Sequence, residues 1–200
     1  MTLVKVCGVN RADDLAVAVE AGADLIGFIL VDWSPRAVTR EDAARLAEQV
    51  PPGVGRVGVF VDEDPATVAA IADELALDFV QLHGSESPEV VASFAGRAIK
   101  AHRLPKPGDI YGTTVLLDRH FHSEPTPDEL CAHWAFAREV GAERRVLLAG
   151  ALDAGNVAQA IRTAQPWAVD GVRGTESAPG VKDHERIRAF VRAAKEATRC

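Results

Sequence analysis

Four side chains could do chemistry together if the fold brings them to one place. Cys7 closes Lys5-Val6-Cys7-Gly8, at the carboxyl end of the apolar run Leu3–Cys7. A thiol there is a candidate base, provided that helix N-termini or Arg36 lower its pKa from about 8.5. Asp118 ends the run Val115-Leu116-Leu117. A carboxyl group at that point keeps a proton near neutral pH only if it is partly desolvated. Arg36 follows Ser34-Pro35, and its planar guanidinium suits a planar carboxylate. His83 sits in Gln81-Leu82-His83-Gly84. Each also has a plainer reading: Cys7 as packing, Asp118 as the cap of a turn, Arg36 as a surface residue and His83 as a structural hydrogen-bond partner. Gln81 shares the end of its run with His83, and strand alternation allows it to face either the pocket or a helix.

The elements that must position these residues repeat along the chain. Apolar runs lie near Leu3–Cys7, Leu25–Leu30, Val57–Val61, Phe79–Leu82, Ala98–Ala101, Val115–Asp118, Val146–Ala149 and Ala168–Val172. They are unbroken, as parallel strands covered on both faces require. Between them, stretches with apolar residues at helical spacing run over Asp13–Ala21, Glu41–Val50, Pro65–Leu75, Pro88–Phe94, Pro127–Val140, Asn156–Thr163 and His184–Ala197. Pro65 behind Asp64 and Pro88 behind Ser87 suit N1 prolines behind N-caps, while Gly22 and Gly141 mark helix ends. From His102 to Thr113, Pro105, Pro107 and Gly108 break helical pattern, so the fifth crossover is expected to be a loop. The pattern predicts a single (β/α)8 TIM barrel over residues 1–200, with function at the carboxyl ends of the strands. A doubly wound eight-stranded sheet is the alternative.

Composition narrows the class. A net charge of −7 argues against nucleic acid and anionic membrane as partners, and 48% hydrophobic residues suffice for one core. The sequence runs from Met1 directly into a strand with no signal-peptide pattern and no apolar stretch long enough for a membrane span, so a cytoplasmic protein is expected. Cys7, Cys131 and Cys200 lack the spacing of a disulfide framework or zinc site. His120 and His122 alternate as metal ligands can, but without a third ligand no metal is expected. Gly53-Val54-Gly55-Arg56-Val57-Gly58 fits the dinucleotide pattern only formally, because it leads into a strand instead of joining a strand to a helix.

Several motifs in order resemble phosphoribosylanthranilate isomerases. They are Lys5-Val6-Cys7-Gly8-Val9, Ala21-Gly22-Ala23-Asp24, Ser34-Pro35-Arg36, Val57-Gly58-Val59-Phe60-Val61, Gln81-Leu82-His83-Gly84, Leu148-Ala149-Gly150 with Asn156-Val157, and Ser177 through Asp183. The resemblance implies an Amadori rearrangement, in which an N-glycosidic aminoaldose opens, loses its C2 proton and becomes a 1-amino-1-deoxyketose. It implies Cys7 as general base, Asp118 as general acid, Arg36 and His83 facing the anthranilate moiety, and no metal or organic cofactor. A small-molecule aryl amine N-glycoside is then the partner, with the chain a monomer or homodimer.

The sequence departs from that family at the sugar-phosphate end. Such barrels hold phosphate with backbone N–H groups after strands seven and eight. Here the usual two glycines are Gly150-Ala151, and an aspartate-aliphatic-serine-serine-glycine pattern becomes Asp170-Gly171-Val172-Arg173-Gly174. The glycine-rich loop after the catalytic aspartate is replaced by residues 119–127. Gly150, Ala151, Asp170, Arg173 and Gly174 are therefore candidate substrate-binding residues. Arg173 could bind phosphate in place of the lost serines, or fill that volume and pair with Glu176. Three functions remain open: an isomerase of N-(phospho)ribosyl anthranilate or a related N-glycosyl aryl amine, a specialised-metabolism paralogue using the same pair on another adduct, and a non-catalytic barrel that binds an aryl carboxylate.

Overall fold

A computed structural model describes residues 1–94, 96–103, 107–119 and 124–197. Eight parallel strands close into a barrel in chain order: β1 (Leu3–Cys7), β2 (Leu25–Ile29), β3 (Gly55–Phe60), β4 (Phe79–Leu82), β5 (Ala98–Arg103), β6 (Thr114–Asp118), β7 (Arg145–Leu148) and β8 (Ala168–Gly171). β8 pairs back onto β1, with Lys5 opposite Asp170. Seven helices alternate with them: α1 (Ala12–Ala21), α2 (Arg40–Ala47), α3 (Pro65–Glu74), α4 (Pro88–Ser93), α5 (Pro127–Val140), α6 (Val157–Ala164) and α7 (His184–Ala197). The fifth crossover carries only a short 3-10 turn, Pro107–Asp109, among its described residues.

The predicted punctuation works as local chemistry requires. Asp64 and Ser87 accept from the backbone N–H groups of Thr67 and Val90, and Gly22 ends α1 with φ 96°, where a side chain would be strained. Gly141 differs from expectation: its φ is −64°, and the chain leaves α5 through further tight turns instead of a left-handed stop. Of the dinucleotide-like glycines, Gly53 forms the turn before β3, while Gly55 and Gly58 lie within the strand itself.

The apolar core has two layers. One lies between strands and helices, around Val4, Phe28, Phe60, Leu82, Leu117 and Phe190. The other fills the barrel interior with Leu25, Val57, Ile99, Leu116, Leu147 and Ala168. Because side chains alternate along a strand, Leu3, Lys5 and Cys7 share one face of β1, as Gln81 and His83 share one face at the end of β4. The inner layer is thus apolar at its base and polar toward the carboxyl ends.

A hairpin that periodicity did not reveal follows β8. A short 3-10 turn at Arg173–Thr175 leads into β9 (Glu176–Ala178), which pairs with β10 (Val181–Lys182). Gly180 sits at φ 79° against the Pro35 carbonyl, where a Cβ would collide, and its own carbonyl accepts from Asn10 Nδ2 at 3.3 Å. The hairpin is thereby fastened over the loops that follow β1 and β2.

Candidate active site

Cys7, Gln81, His83, Asp118, Asp170, Arg36, Gly150, Ala151 and Arg173 all line one cavity of about 300 Å³ at the carboxyl end of the barrel. Gly174 stands just beside it, packed on the Leu152 carbonyl so closely that no side chain would fit. The four candidates from separate strands and loops therefore converge.

Lys5 is the group that sequence reasoning missed. It is fully buried inside the barrel, with Nζ 2.8 Å from Gln81 Oε1 and 3.3 Å from Asp170. Burial alone would depress its pKa, but Asp170 and Cys7 outweigh that effect and raise it, which favours the ammonium form. Gly27 makes this possible, since a Cβ there would lie 2.5 Å from Cys7 Sγ and 3.0 Å from Lys5 Cε. Asp170 is consequently a buried counter-ion to Lys5 as well as a lining residue, and its Oδ1 has no hydrogen-bond partner.

Cys7 is 2% exposed, and burial pushes its thiol above the ordinary value. Lys5 pulls the other way, Asp170 adds to the rise, and Lys182 opposes it weakly. The expected depression by Arg36 is absent because Arg36 is committed elsewhere: Nε and Nη2 each donate to Glu176 at 2.8 Å. Lys182 also reaches Glu176, at 3.4 Å, so Glu176 is claimed by two cations. Among the described residues no ion pair joins Arg173 to Glu176. The end-on edge of Arg36, formed by Nη1 and the second Nη2 proton, is left for a carboxylate in the cavity.

Asp118 also departs from expectation. Desolvation pushes its carboxyl up, but the neighbouring His83, then Arg103 and Arg173, outweigh it and hold the group below its ordinary value. His83 Nε2 lies 3.7 Å from Asp118 Oδ2, while His83 Nδ1 lies 2.8 Å from Gln81 Nε2. Gln81, open to two orientations in the sequence, thus faces the barrel interior and is 1% exposed.

At the opposite rim, Gly150 has φ 92° and Ala151 φ 51°. Ala151 keeps a left-handed backbone although it carries a side chain. Among the described residues, the N–H groups of Gly150, Ala151, Arg173 and Gly174 have no acceptor within the chain. Arg173 is exposed and lines this rim. Together they make a concave set of donors suited to an anion. His120 and His122 lie outside the described residues.

Comparison with known proteins decides the relationship. The family model for N-(5'phosphoribosyl)anthranilate (PRA) isomerase matches residues 4–193. The chain belongs to the phosphoribosylanthranilate isomerase family. An N-(5'-phosphoribosyl)anthranilate isomerase of Pelobacter propionicus is 41% identical over 202 residues, covering 98% of this chain and 97% of that protein. The phosphoribosylanthranilate isomerase of Thermotoga maritima superposes with TM-score 0.88 at 35% identity, covering 98% and 100% of the two chains. A phosphoribosylanthranilate isomerase crystallised with reduced 1-(o-carboxyphenylamino)-1-deoxyribulose 5-phosphate superposes with TM-score 0.86 at 36% identity, again over 98% and 100%. Like these isomerases, the chain is an enzyme on a TIM barrel. Among its described residues no helix is long and apolar enough to cross a membrane.

Proposed function

We propose that this enzyme converts N-(5'-phosphoribosyl)anthranilate to 1-(o-carboxyphenylamino)-1-deoxyribulose 5-phosphate, the Amadori step of tryptophan biosynthesis, with Asp118 as general acid and Cys7 as general base. The observation that carries the reading is the convergence of Cys7, Asp118 and the free edge of Arg36 on one cavity lined at its far rim by the unpaired N–H groups of Gly150, Ala151 and Arg173, with that of Gly174 beside it. A substrate with an aryl carboxylate at one end and a phosphate at the other matches both ends.

The chemistry is two enzyme-assisted proton transfers followed by a tautomerisation. Asp118 gives a proton to the ring oxygen as the C1–O bond breaks, and the nitrogen lone pair forms the Schiff base. Cys7 then takes the C2 proton; the C–H electron pair forms the C1–C2 double bond, and the iminium pair returns to nitrogen. The resulting enolamine becomes the ketone when its C2 hydroxyl loses a proton and C1 gains one. The raised thiol of Cys7 and the lowered carboxyl of Asp118 run against these starting roles. An anionic substrate next to Asp118 raises its carboxyl, because like charges disfavour ionisation, while Lys5 and Lys182 favour the thiolate at Cys7.

The serine losses at the sugar end do not abolish the cradle, because backbone N–H groups and Arg173 supply its donors. This favours the phosphorylated substrate over a specialised adduct or a non-catalytic barrel. Turnover of phosphoribosylanthranilate and rescue of a tryptophan auxotroph are the direct tests; failure of both would remove the substrate assignment. Cys7→Ser and Asp118→Asn should each lower kcat by at least about 100-fold with little change in product binding. Near-normal turnover in either variant would remove the acid–base pair.

A further inference from the structure

The barrel interior holds one continuous polar chain between the thiol and the carboxylate. Lys5 lies next to Cys7, donates to Gln81 Oε1 at 2.8 Å, and Gln81 Nε2 meets His83 Nδ1 at 2.8 Å. His83 Nε2 then faces Asp118 Oδ2 at 3.7 Å. We propose that Lys5 and Gln81 are positioning residues that hold His83 as the neutral tautomer with its proton on Nε2, aimed at Asp118.

The direction of every bond in the chain follows from Lys5. An ammonium has three donors and no acceptor, so the Gln81 atom facing it is the carbonyl oxygen. An amide has two ends, and with its oxygen on Lys5 the NH2 end must face His83. A donor at 2.8 Å requires a lone pair opposite it, and a proton on Nδ1 would set two N–H groups against each other. Neutral His83 therefore carries its hydrogen on Nε2, the nitrogen directed at Asp118. At 3.7 Å this contact is longer than a hydrogen bond, so Nε2–H points toward Asp118 without being bonded to it.

A fixed Nε2–H can only donate. It suits a partner that accepts, either the Asp118 carboxylate or an acidic group of the substrate, and it cannot accept the proton that Asp118 must deliver to the ring oxygen. The tautomer thus keeps that proton on its productive path. The same chain gives the buried lysine a physical role: its charge is shared between Cys7, Asp170 and the amide that orients the acid side.

This role rests on the acid assignment to Asp118, and the test separates the two. Long-range proton–nitrogen NMR on enzyme labelled with 15N-histidine reports each imidazole tautomer, with His83→Gln identifying the His83 signals. In the substrate-free wild type, His83 should show a protonated Nε2 and a bare Nδ1. Gln81→Glu offers Lys5 and His83 two accepting oxygens, so the proton should move to Nδ1, with kcat falling at least about 10-fold and KM changing by less than about 3-fold. A wild-type His83 protonated on Nδ1, or a Gln81→Glu spectrum still showing Nε2–H alone, would overturn the proposal. If Gln81→Glu does not fold, the wild-type spectrum decides. The stated tautomer in an enzyme that does not turn over phosphoribosylanthranilate would leave the positioning role intact and remove the functional reading instead.

Discussion

Arg36 and Glu176 stand 140 residues apart and are joined by two parallel hydrogen bonds of 2.8 Å each. The pair ties the loop after β2 to the hairpin after β8, across the strand β1 that carries Cys7. Glu176 is nearly buried and also serves Lys182, whose Nζ is held by the Val172 carbonyl and Thr175 Oγ1. One carboxylate therefore fixes the direction of the guanidinium and the placement of a buried cation close to the thiol.

Removing that carboxylate strands two cations. Glu176→Ala should cost about 3–5 kcal/mol of unfolding free energy, the range for breaking a buried pair from one side, whereas Glu176→Gln should cost less because its oxygen still accepts. Urea unfolding measures both; equal, small losses would mean that the pair is solvated in solution. Arg36→Ala should weaken binding of anthranilate-bearing ligands by about 1.5–3 kcal/mol, the range for a hydrogen bond to a charged group. Analogues without the carboxylate should bind unchanged, and calorimetry separates the two cases.

Cys7 supplies a pH prediction. Burial raises the thiol in the folded state, so the fold holds that proton more tightly than the unfolded chain does. The corresponding stability is fully present below the unfolded value of about 8.5 and is lost as pH rises through the higher folded value. Iodoacetamide labelling of Cys7 should accordingly follow a midpoint above that of a cysteine peptide, and the limb on which kcat/KM rises with pH should share it, because the base acts as thiolate. A labelling midpoint below about 8.5 would mean that Lys5 and Lys182 win over burial.

Ala151 occupies a conformation that its side chain disfavours. Its φ of 51° lies where an L-residue costs about 1–2 kcal/mol relative to the right-handed region. Ala151→Gly should raise stability by about 0.5–1 kcal/mol, after allowing for the looser unfolded chain. Turnover should hold, since the N–H direction does not change. Gly150→Ala is the contrasting variant: at φ 92° a Cβ would also meet the Arg119 nitrogen at 2.9 Å, and both stability and turnover should fall. Thermal unfolding of the two variants gives opposite signs if the backbone geometry is as described.

How much of this was visible in the sequence follows from what each residue contacts. Strands buried on both faces read as apolar runs, so the barrel and the proline-broken fifth crossover were legible. The hairpin was not, because Glu176–Ala178 and Val181–Lys182 are too short and too polar to alternate. Lys5 within an apolar run reads as a residue at a strand edge; its placement two positions before Cys7, on the same face, was the available signal. Gly27 gave none, since the collision it avoids involves a strand 20 residues away. The raised thiol of Cys7 follows from its burial in the closed barrel, and the lowered carboxyl of Asp118 from His83 at the end of another strand; local spacing exposes neither.

Arg173 supplies the test of the proposed phosphate end. It is exposed and lines the rim formed by Gly150 and Ala151, within range to lower Asp118 by its charge. A charge-assisted hydrogen bond to phosphate contributes about 1.5–3 kcal/mol, more than a neutral serine hydroxyl at about 1 kcal/mol, so one arginine can stand in for the missing side chains. Arg173→Ala should then reduce kcat/KM for phosphoribosylanthranilate at least about 10-fold, mainly through KM, while a dephosphorylated substrate is affected far less. Steady-state kinetics on the matched pair reads this directly. If activity on the phosphorylated substrate held or rose, the guanidinium would be filling the phosphate volume, and the backbone N–H groups of Gly150, Ala151 and Gly174 would carry the anion alone.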